Sequence, residues 1–199
     1  MTLAPVAPTV ESTRGGKYLT FYLGDEEYGV AIMRVQEIIG LQPITRVPRT
    51  PAFMRGVINL RGKVIPVVEL RERFGMLAPD AATAGEYAAE TAAALRCIIV
   101  VEVAMPIADD ARVQRISMGL MVDRVSEVAP IAEDDIEDAP SFGPGVRTDY
   151  LLGIAKSRGA HGNRGAAHTG GDAGRVRLLL DLDRVLATDE MEQLPSADA

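Results

Sequence analysis

Short apolar segments that alternate with turn-forming residues recur along this chain, and they constrain its fold more than any other feature. Two adjacent pairs of these segments predict β-hairpins: Tyr18–Leu23 with Tyr28–Ile32, and Val57–Leu60 with Val64–Val68. Their lengths suit single strands, and no long helical period separates one segment from the next. A doubly wound α/β fold, in which strands and long helices alternate, is therefore not expected.

Further segments of the same kind predict strands at Cys97–Val103, Gly119–Val122, Val125–Val128, Tyr150–Ala155 and Val176–Leu180. Val35–Ile39 fits either a strand or the end of a helical turn. Because Pro66 has no N–H to donate, its strand is predicted to lie at a sheet edge or to be bulged at that point. About eight to ten short strands are expected in all, which favours small β-barrels.

Helices are predicted to be few and short. Thr50–Gly56 offers a capping threonine, a proline at the first helical position and a glycine at the exit. Glu69–Phe74, followed by Gly75, is a second short candidate. Asp181–Leu186 and Thr188–Leu194 predict a terminal helix or a pair of helices.

Several segments are poor in core-forming residues, and we expect them to lie outside the barrels. Met76–Arg96 fits either an extra helix or a flexible insert, and the glycine-rich segment Ser157–Arg175 is predicted to be a mobile loop. The others are the loose tails 1–16 and 195–199, the polar loop Asp109–Arg115 and the solvated acidic turn Glu133–Asp138.

Charge and hydropathy exclude several classes of partner. The formal charge of −7 and the isoelectric point near 4.9 argue against nucleic acids and anionic membranes. No stretch approaches the roughly 20 apolar residues of a membrane span, and the N-terminus lacks the pattern of a signal peptide. We therefore expect a cytoplasmic protein. The single cysteine, Cys97, excludes an internal disulfide, and its apolar neighbours predict a buried, inert thiol.

Signatures of catalysis and of cofactor binding are missing from the sequence. No P-loop is present, and Gly159, Gly162 and Gly165 do not follow a strand as the dinucleotide fingerprint requires. His161 and His168 have no cysteine pair nearby, which argues against a metal site. No cofactor, metal or enzymatic activity is expected, although spacing alone cannot reveal a pair of catalytic carboxylates.

A set of segments spread over nearly the whole chain, from about Lys17 to Leu194, resembles the CheW-type chemotaxis coupling proteins. The most specific of them is Thr50–Gly62, which contains Pro-Ala-Phe, then Gly-Val, then Asn-Leu-Arg-Gly. The other matching segments, in chain order with it, are Leu23–Val30, Val35–Ile38, Ile65–Arg71, Met121–Val128 and Tyr150–Gly153.

The resemblance implies one CheW-like domain over residues 17–194, built as two interlocked five-stranded SH3-like β-barrels with short helices and a C-terminal helix. Relative to the compact family pattern, insertions are expected at 76–96, 109–115 and 157–175. It also implies a non-catalytic adaptor that bridges the cytoplasmic tip of a chemoreceptor and the regulatory domain of a CheA-type histidine kinase. Such an adaptor is cytoplasmic and is recruited to membrane-associated receptor arrays.

Two alternatives to this function stay open at the level of sequence. One is a CheW-like adaptor that serves another chemosensory route, such as surface motility, because the same surfaces would serve both. The other is a barrel that binds a small molecule or acts as an enzyme, which an enclosed pocket with convergent polar groups would support.

Val35 and Glu37 are the first candidate contact residues. If their segment is extended, both side chains project to one side, where a valine supplies burial and an acid supplies electrostatic selection. The resemblance implies that both touch the receptor tip. The alternative is a core valine beside a solvated acid.

The turn that joins the two strands of the second predicted hairpin supplies further candidates. Gly62 is expected to adopt the left-handed conformation that the turn needs. Arg61 is not explained by the turn, so it either contacts a partner through forked hydrogen bonds or braces the two barrels internally. Gly56 is expected to allow close approach by the receptor, and Arg61 is counted with it among the candidate receptor contacts. The resemblance implies a kinase contact for Phe142, although Glu137 is acidic where the family pattern is basic.

Overall fold

Eleven β-strands hold most of the residues described in this computed structural model, which cover 14–76, 94–106, 113–140, 148–156 and 176–186. The strands are β1 Gly16–Leu23, β2 Glu26–Ala31, β3 Val35–Gly40, β4 Met54–Leu60, β5 Lys63–Glu69, β6 Cys97–Pro106, β7 Val113–Val122, β8 Arg124–Ile131, β9 Ile136–Glu137, β10 Leu151–Lys156 and β11 Val176–Leu180. The helices that lie wholly within these ranges are α1 Leu70–Arg73 and α2 Leu182–Leu186, and Ala94 and Leu95 are also helical. Short 3₁₀ turns at Ile32–Arg34 and Glu133–Asp135 precede β3 and β9.

The strands form two curled sheets that are interlocked along the chain. Sheet A has the order β8-β1-β2-β11-β10-β9, and sheet B has the order β3-β6-β7-β5-β4. Sheet B is built from consecutive strands inserted between β2 and β8 of sheet A. The predicted pair of small β-barrels is confirmed. Sheet A has one strand more than expected, because the two-residue strand β9 pairs with β10.

Three apolar clusters hold the sheets together. The first, which we call the central cluster, joins buried residues of both sheets, among them Phe21 of β1 and Leu120 of β7. The second is the barrel A cluster and includes Tyr18, Ala129, Ile136 and Leu179. The third is the barrel B cluster and includes Ile58, Ile65, Ile98 and Val100. Each sheet is therefore buried on two faces, one inside its own barrel and one against the other sheet.

Strand β6 shows why the predicted apolar run carries no polar alternation. Ile98 and Val100 belong to the barrel B cluster, whereas Ile99 and Val101 belong to the central cluster. Successive side chains of a strand point to opposite faces, so a strand buried on both faces needs apolar residues at every position.

Most of the predicted elements are present. The hairpins β1–β2 and β4–β5 are antiparallel pairs. Val35–Gly40 is a strand preceded by a 3₁₀ turn, so both readings of that segment contain part of the answer. Helix α1 ends before Gly75, whose φ of 66° is the left-handed conformation expected of a helix exit. Of the predicted terminal helices, Leu182–Leu186 is observed and Thr188–Leu194 lies outside the described residues.

The helix predicted at Thr50–Gly56 is wrong. Met54 donates its N–H to the carbonyl of Pro51, which makes a single turn, and β4 then begins at Met54 itself. The chain extends here because Val57 exchanges both backbone hydrogen bonds with Thr45, at 2.8 and 2.9 Å. This long-range pairing overrides the local capping signals.

Three smaller predictions also need correction. Pro66 is not on an edge strand, because β5 lies between β4 and β7; the parallel ladder with β7 begins only at Val67, so Pro66 is just outside it. The predicted loop Asp109–Arg115 is partly strand, since β7 begins at Val113. In the acidic segment Glu133–Asp138, Ile136 is buried and forms β9 with Glu137, so only its start is a solvated turn.

Some predictions fall outside the described ranges. These concern most of Met76–Arg96, all of Ser157–Arg175 with His161 and His168, Phe142, and the tail residues 1–13 and 195–199.

Candidate protein–protein interface

The turn between β4 and β5 presents Arg61 at its tip. Arg61 and Gly62 have positive φ angles of 53° and 84°, the pattern of a two-residue hairpin turn that matches the twist of its strands. Asn59 supports the turn, since its Oδ1 accepts a hydrogen bond of 2.9 Å from the N–H of Gly62. The left-handed conformation predicted for Gly62 is therefore confirmed.

Arg61 forms an ion pair with Glu37 of β3. Its Nη2 lies 2.9 Å from Oε2 of Glu37, and the side chains are 79% and 27% exposed, respectively. The structure thus brings together two of the predicted contact residues, which are far apart in the sequence. Arg61 braces β3 to the β4–β5 turn within sheet B, rather than one barrel to the other, and most of its guanidinium surface remains open to solvent.

Strand β3 combines a buried start with an exposed outer face. Its exposure alternates, with Val35, Glu37 and Ile39 half-buried and Gln36 and Ile38 exposed. Val35 packs against the central cluster, and Ile38 is an exposed apolar side chain. The pairing of β3 with β6 shifts register between Val35 and Glu37, so a bulge lies at Gln36. Val35 is therefore partly a core valine, while Glu37 is paired rather than freely solvated.

Gly56 is buried in β4 beneath the segment that contains Thr45. Its φ is 136°, and a β-carbon at this position would lie 2.1 Å from the carbonyl oxygen of Thr45. The close approach that we predicted at this glycine is made by the protein's own backbone. Gly56 therefore supports the surface from below, and its contact with a receptor stays a prediction.

Asp123 fixes the two barrels to one another at the point where the chain passes from β7 of sheet B to β8 of sheet A. Its carboxylate accepts hydrogen bonds from the N–H of Gly24 at 2.6 Å and from Nε of Arg71 at 2.8 Å. Burial opposes ionisation of this carboxyl, but the bonds from Arg71 and Gly24 outweigh it and hold the pKa of Asp123 below its usual value. The geometry between the barrels is thereby held by charge-assisted hydrogen bonds.

The described residues show no cluster of three or more histidine, cysteine or acidic side chains that could hold a metal ion. Cys97 is half-buried, not fully buried as predicted, and its burial raises the pKa of the thiol. A raised pKa lowers the fraction of reactive thiolate at neutral pH. Within the same ranges, no helix has the length and apolar character needed to cross a membrane.

Comparison with known proteins identifies the family to which this chain belongs. A family model described as the CheW-like domain matches residues 17–190. The chain belongs to the CheW-like family. It is 34% identical to the chemotaxis protein CheW of Klebsiella aerogenes over 95% of this chain and 92% of that one. It is 32% identical to the chemotaxis protein CheW of Rhizobium meliloti over 90% of this chain and 94% of the relative.

A solved structure agrees with the family assignment. The crystal structure of the scaffolding protein TtCheW from Thermoanaerobacter tengcongensis superposes with a TM-score of 0.64 and 31% identity, covering 90% of this chain and 98% of that one. The fold of this CheW-family protein is therefore the paired-barrel fold that the sequence resemblance implied.

Sequence reasoning did not foresee two ionic contacts between distant parts of the chain. Asp123 lies in a segment that carries the family resemblance, but nothing in its spacing indicated Arg71 as its partner. Arg34 immediately precedes β3 and pairs with Asp183 of α2, a contact between residues at opposite ends of the chain. The signal that the sequence offered for the Arg34–Asp183 contact was the basic residue Arg34 directly before the candidate contact strand.

Proposed function

We propose that this protein is a non-catalytic chemotaxis adaptor whose sheet B surface, around β3 and the β4–β5 turn, binds the cytoplasmic tip of a chemoreceptor. Membership of the CheW-like family supports the adaptor role. The observation that carries the choice of surface is the exposed ion pair between Glu37 and Arg61. The adaptor also binds a CheA-type histidine kinase, and changes in receptor conformation alter kinase activity through differential binding.

The composition of the surface suits a partner with both charged and apolar groups. Glu37 and Arg61 offer a carboxylate and a forked donor side by side, so an incoming polar side chain can exchange partners with either. Ile38 adds an exposed apolar side chain on the same strand. Val35 acts mainly by anchoring β3 to the core, and Gly56 acts by letting the segment at Thr45 pack closely.

The kinase contact is assigned to a different part of the molecule. Phe142, in the connection between β9 and β10, is proposed to contact the regulatory domain of the kinase. The protein is proposed to be cytoplasmic and to join receptor arrays through its partners, without inserting into the membrane itself.

Reconstitution of a receptor fragment, the kinase and this protein tests the surface. Glu37→Lys places like charges at the ion pair and is expected to lower receptor affinity and kinase activation by at least about tenfold. Glu127→Lys is the matched control, because Glu127 is also an exposed, ion-paired glutamate, 3.0 Å from Arg177, but belongs to sheet A. Retention of receptor binding and kinase activation by a folded Glu37→Lys variant would show that the surface is wrongly assigned.

A charge exchange separates a direct contact from a brace. The double variant Glu37→Arg with Arg61→Glu restores an ion pair of reversed polarity. If the two residues only brace β3 against the turn, the double variant recovers receptor affinity relative to either single variant. If they touch the receptor, the reversed pair meets unchanged receptor charges and affinity stays low, which is the result we expect.

A further inference from the structure

Arg34 occupies a structural junction immediately before the proposed receptor-binding strand. It is the last residue of the 3₁₀ turn Ile32–Arg34, and β3 begins at the next position. Its Nε donates a 2.8 Å hydrogen bond to the carbonyl of Glu102 in β6, and both of its terminal nitrogens donate to the carboxylate of Asp183. One side chain therefore links the start of β3 to a neighbouring strand and to α2.

Helix α2, at the other end of this contact, is itself firmly anchored. Leu182, Val185 and Leu186 are buried in the central cluster. Asp183 also accepts a 2.8 Å hydrogen bond from the N–H of Ala104 in β6. The carbonyl of Val185 accepts a 2.9 Å bond from Nε of Arg73 in α1. The helix thus gives Arg34 a fixed partner.

The backbone ladder alone leaves the start of β3 weakly held. The register shift between Val35 and Glu37 interrupts the pairing with β6 at Gln36. A bulge disrupts the ladder locally and bends the strand that carries it. The forked contact of Arg34 lies directly before this interruption, where an additional restraint is most effective.

The charges of this junction are well matched. The side chains of Arg34 and Asp183 are 27% and 35% exposed, so solvent screens their interaction only in part. Burial opposes ionisation of Asp183, yet the bonds from Arg34 and from the N–H of Ala104 outweigh it and hold the pKa of Asp183 below its usual value. The pair remains ionised at neutral pH.

We propose that Arg34 and Asp183 form a positioning pair, which clamps the start of β3 to α2 and thereby holds Glu37 and its neighbours in the geometry that binds the receptor. The inference rests on the proposed function, because the surface that it positions is the one assigned there. The C-terminal helix then contributes to receptor affinity without touching the receptor. The kinase contact is proposed at Phe142, in the connection between β9 and β10, so the pair is not expected to position it.

A mutant cycle tests the clamp in the full-length protein. Arg34→Gln, Asp183→Asn and the double variant are compared for affinity to a receptor fragment and to the kinase regulatory domain. We expect each single variant to weaken receptor binding about tenfold, the double variant to match the singles, and kinase affinity to stay within about twofold. Arg184→Gln is the matched control, because Arg184 also lies on α2 and pairs with an aspartate, Asp181, but is exposed and bonds to Asp181 and to the carbonyl of Asp149, neither of which belongs to β3.

Hydrogen exchange of the free protein provides a second measurement that requires no partner. Amides of Val35–Gly40 are expected to exchange faster in both single variants and at the parent rate in Arg184→Gln. If Arg34→Gln does not fold, Arg34→Lys, which keeps the cation but loses the fork, takes its place. Failure of the parent protein to bind receptor fragments would end the proposed function, whereas unchanged β3 exchange in the variants would end the clamp.

Two further outcomes would also overturn the clamp. Additive losses of receptor affinity in the double variant would mean that Arg34 and Asp183 act independently. Equal losses of receptor and kinase affinity, together with faster exchange across all strands, would mean that the pair serves only general stability.

Discussion

Gly56 shows at the scale of one residue how the chain's own backbone dictates the sequence beneath the candidate surface. A β-carbon there would meet the carbonyl of Thr45 at 2.1 Å, and the φ of 136° is one that side-chain-bearing residues rarely adopt. We therefore predict that Gly56→Ala lowers the free energy of unfolding by about 1–3 kcal/mol, as measured by urea denaturation. Receptor affinity should fall with it, because the Thr45 segment must move.

Gly40 provides the control for that substitution. It lies in β3 of the same sheet, has no positive φ, and a β-carbon there would meet nothing within 4 Å. Gly40→Ala is expected to change the free energy of unfolding by less than about 0.5 kcal/mol. A Gly56→Ala variant as stable as Gly40→Ala would show that the packing against Thr45 is not tight.

The ion pair of Arg61 and Glu37 should separate stability from binding. Exposed ion pairs contribute only about 0–1 kcal/mol, and Arg61 is 79% exposed. Arg61→Gln is therefore expected to change the unfolding midpoint in urea very little while it weakens binding of the receptor fragment. A large loss of stability, with receptor affinity falling only in proportion, would make the pair a structural brace alone.

What the sequence could predict at this scale depends on how local the cause is. The left-handed conformation of Gly62 follows from its place in a two-residue turn, so the sequence predicted it. The partner of Arg61 depends on the curl of sheet B, in which β3 and β4 are the two outermost strands. No local sequence pattern indicates that β3 and β4 approach one another, and the sequence therefore left the role of Arg61 open.

At the scale of one element, strand β6 should be sensitive to substitution at each successive position from Ile98 to Val101, all of which are buried. Ile98 and Ile99 are both fully buried, but one lies in the barrel B cluster and the other in the central cluster. Ile98→Ala and Ile99→Ala are each expected to lower the free energy of unfolding by about 2–5 kcal/mol in urea denaturation. A strand buried on one face only would show this loss at alternate positions.

Strand β7 offers the control for these core substitutions. Val113 is 62% exposed, and Val113→Ala should change the unfolding free energy by less than about 0.5 kcal/mol. If either isoleucine substitution were equally mild, the face of β6 on which it lies would not be packed as described.

The same scale explains the one helix that was predicted wrongly. Thr50, Pro51 and Gly56 each fit a helix position by themselves, but helix propensity and capping are weak preferences that tertiary contacts can override. The pairing of Val57 with Thr45 requires an extended backbone, and it lies outside the window in which capping signals are read. Where strands pair with near neighbours, as in β1–β2 and β4–β5, the sequence predicted the element correctly.

For the molecule as a whole, the two barrels are interlocked in a way that the sequence pattern does not reveal. Alternating apolar residues predicted strands, but not that β3–β7 form a sheet inserted between β2 and β8. That topology came from the family resemblance. Asp123 lies where the chain returns from sheet B to sheet A, and it binds Gly24 in one sheet's turn and Arg71 in the helix that follows the other sheet's β5.

This junction should make the stability of the whole protein depend on acid. The pKa of Asp123 is lower in the folded state than its ordinary value of 3.8, so the unfolded chain takes up this proton first as the pH falls. The stabilisation is fully present above about pH 4 and is lost as the pH drops through the folded pKa. Asp123→Asn is expected to lower the unfolding free energy at pH 7 by on the order of 3 kcal/mol, because it removes the charge of a partly buried ion pair whose carboxylate joins Arg71 and Gly24.

The same substitution should also flatten the acid dependence, and this second effect identifies its cause. As the pH falls below about 4 and through the folded-state pKa of Asp123, the parent loses the contribution of this carboxylate, which the Asn variant no longer has to lose. Asp138→Asn is the control, since Asp138 is also ion-paired, to Arg14, but is 86% exposed. Urea denaturation at several pH values measures all three proteins. An Asp123→Asn variant whose stability falls with acid as steeply as that of the parent would mean that the barrels are joined by apolar packing in the central cluster, with no measurable part played by this carboxylate.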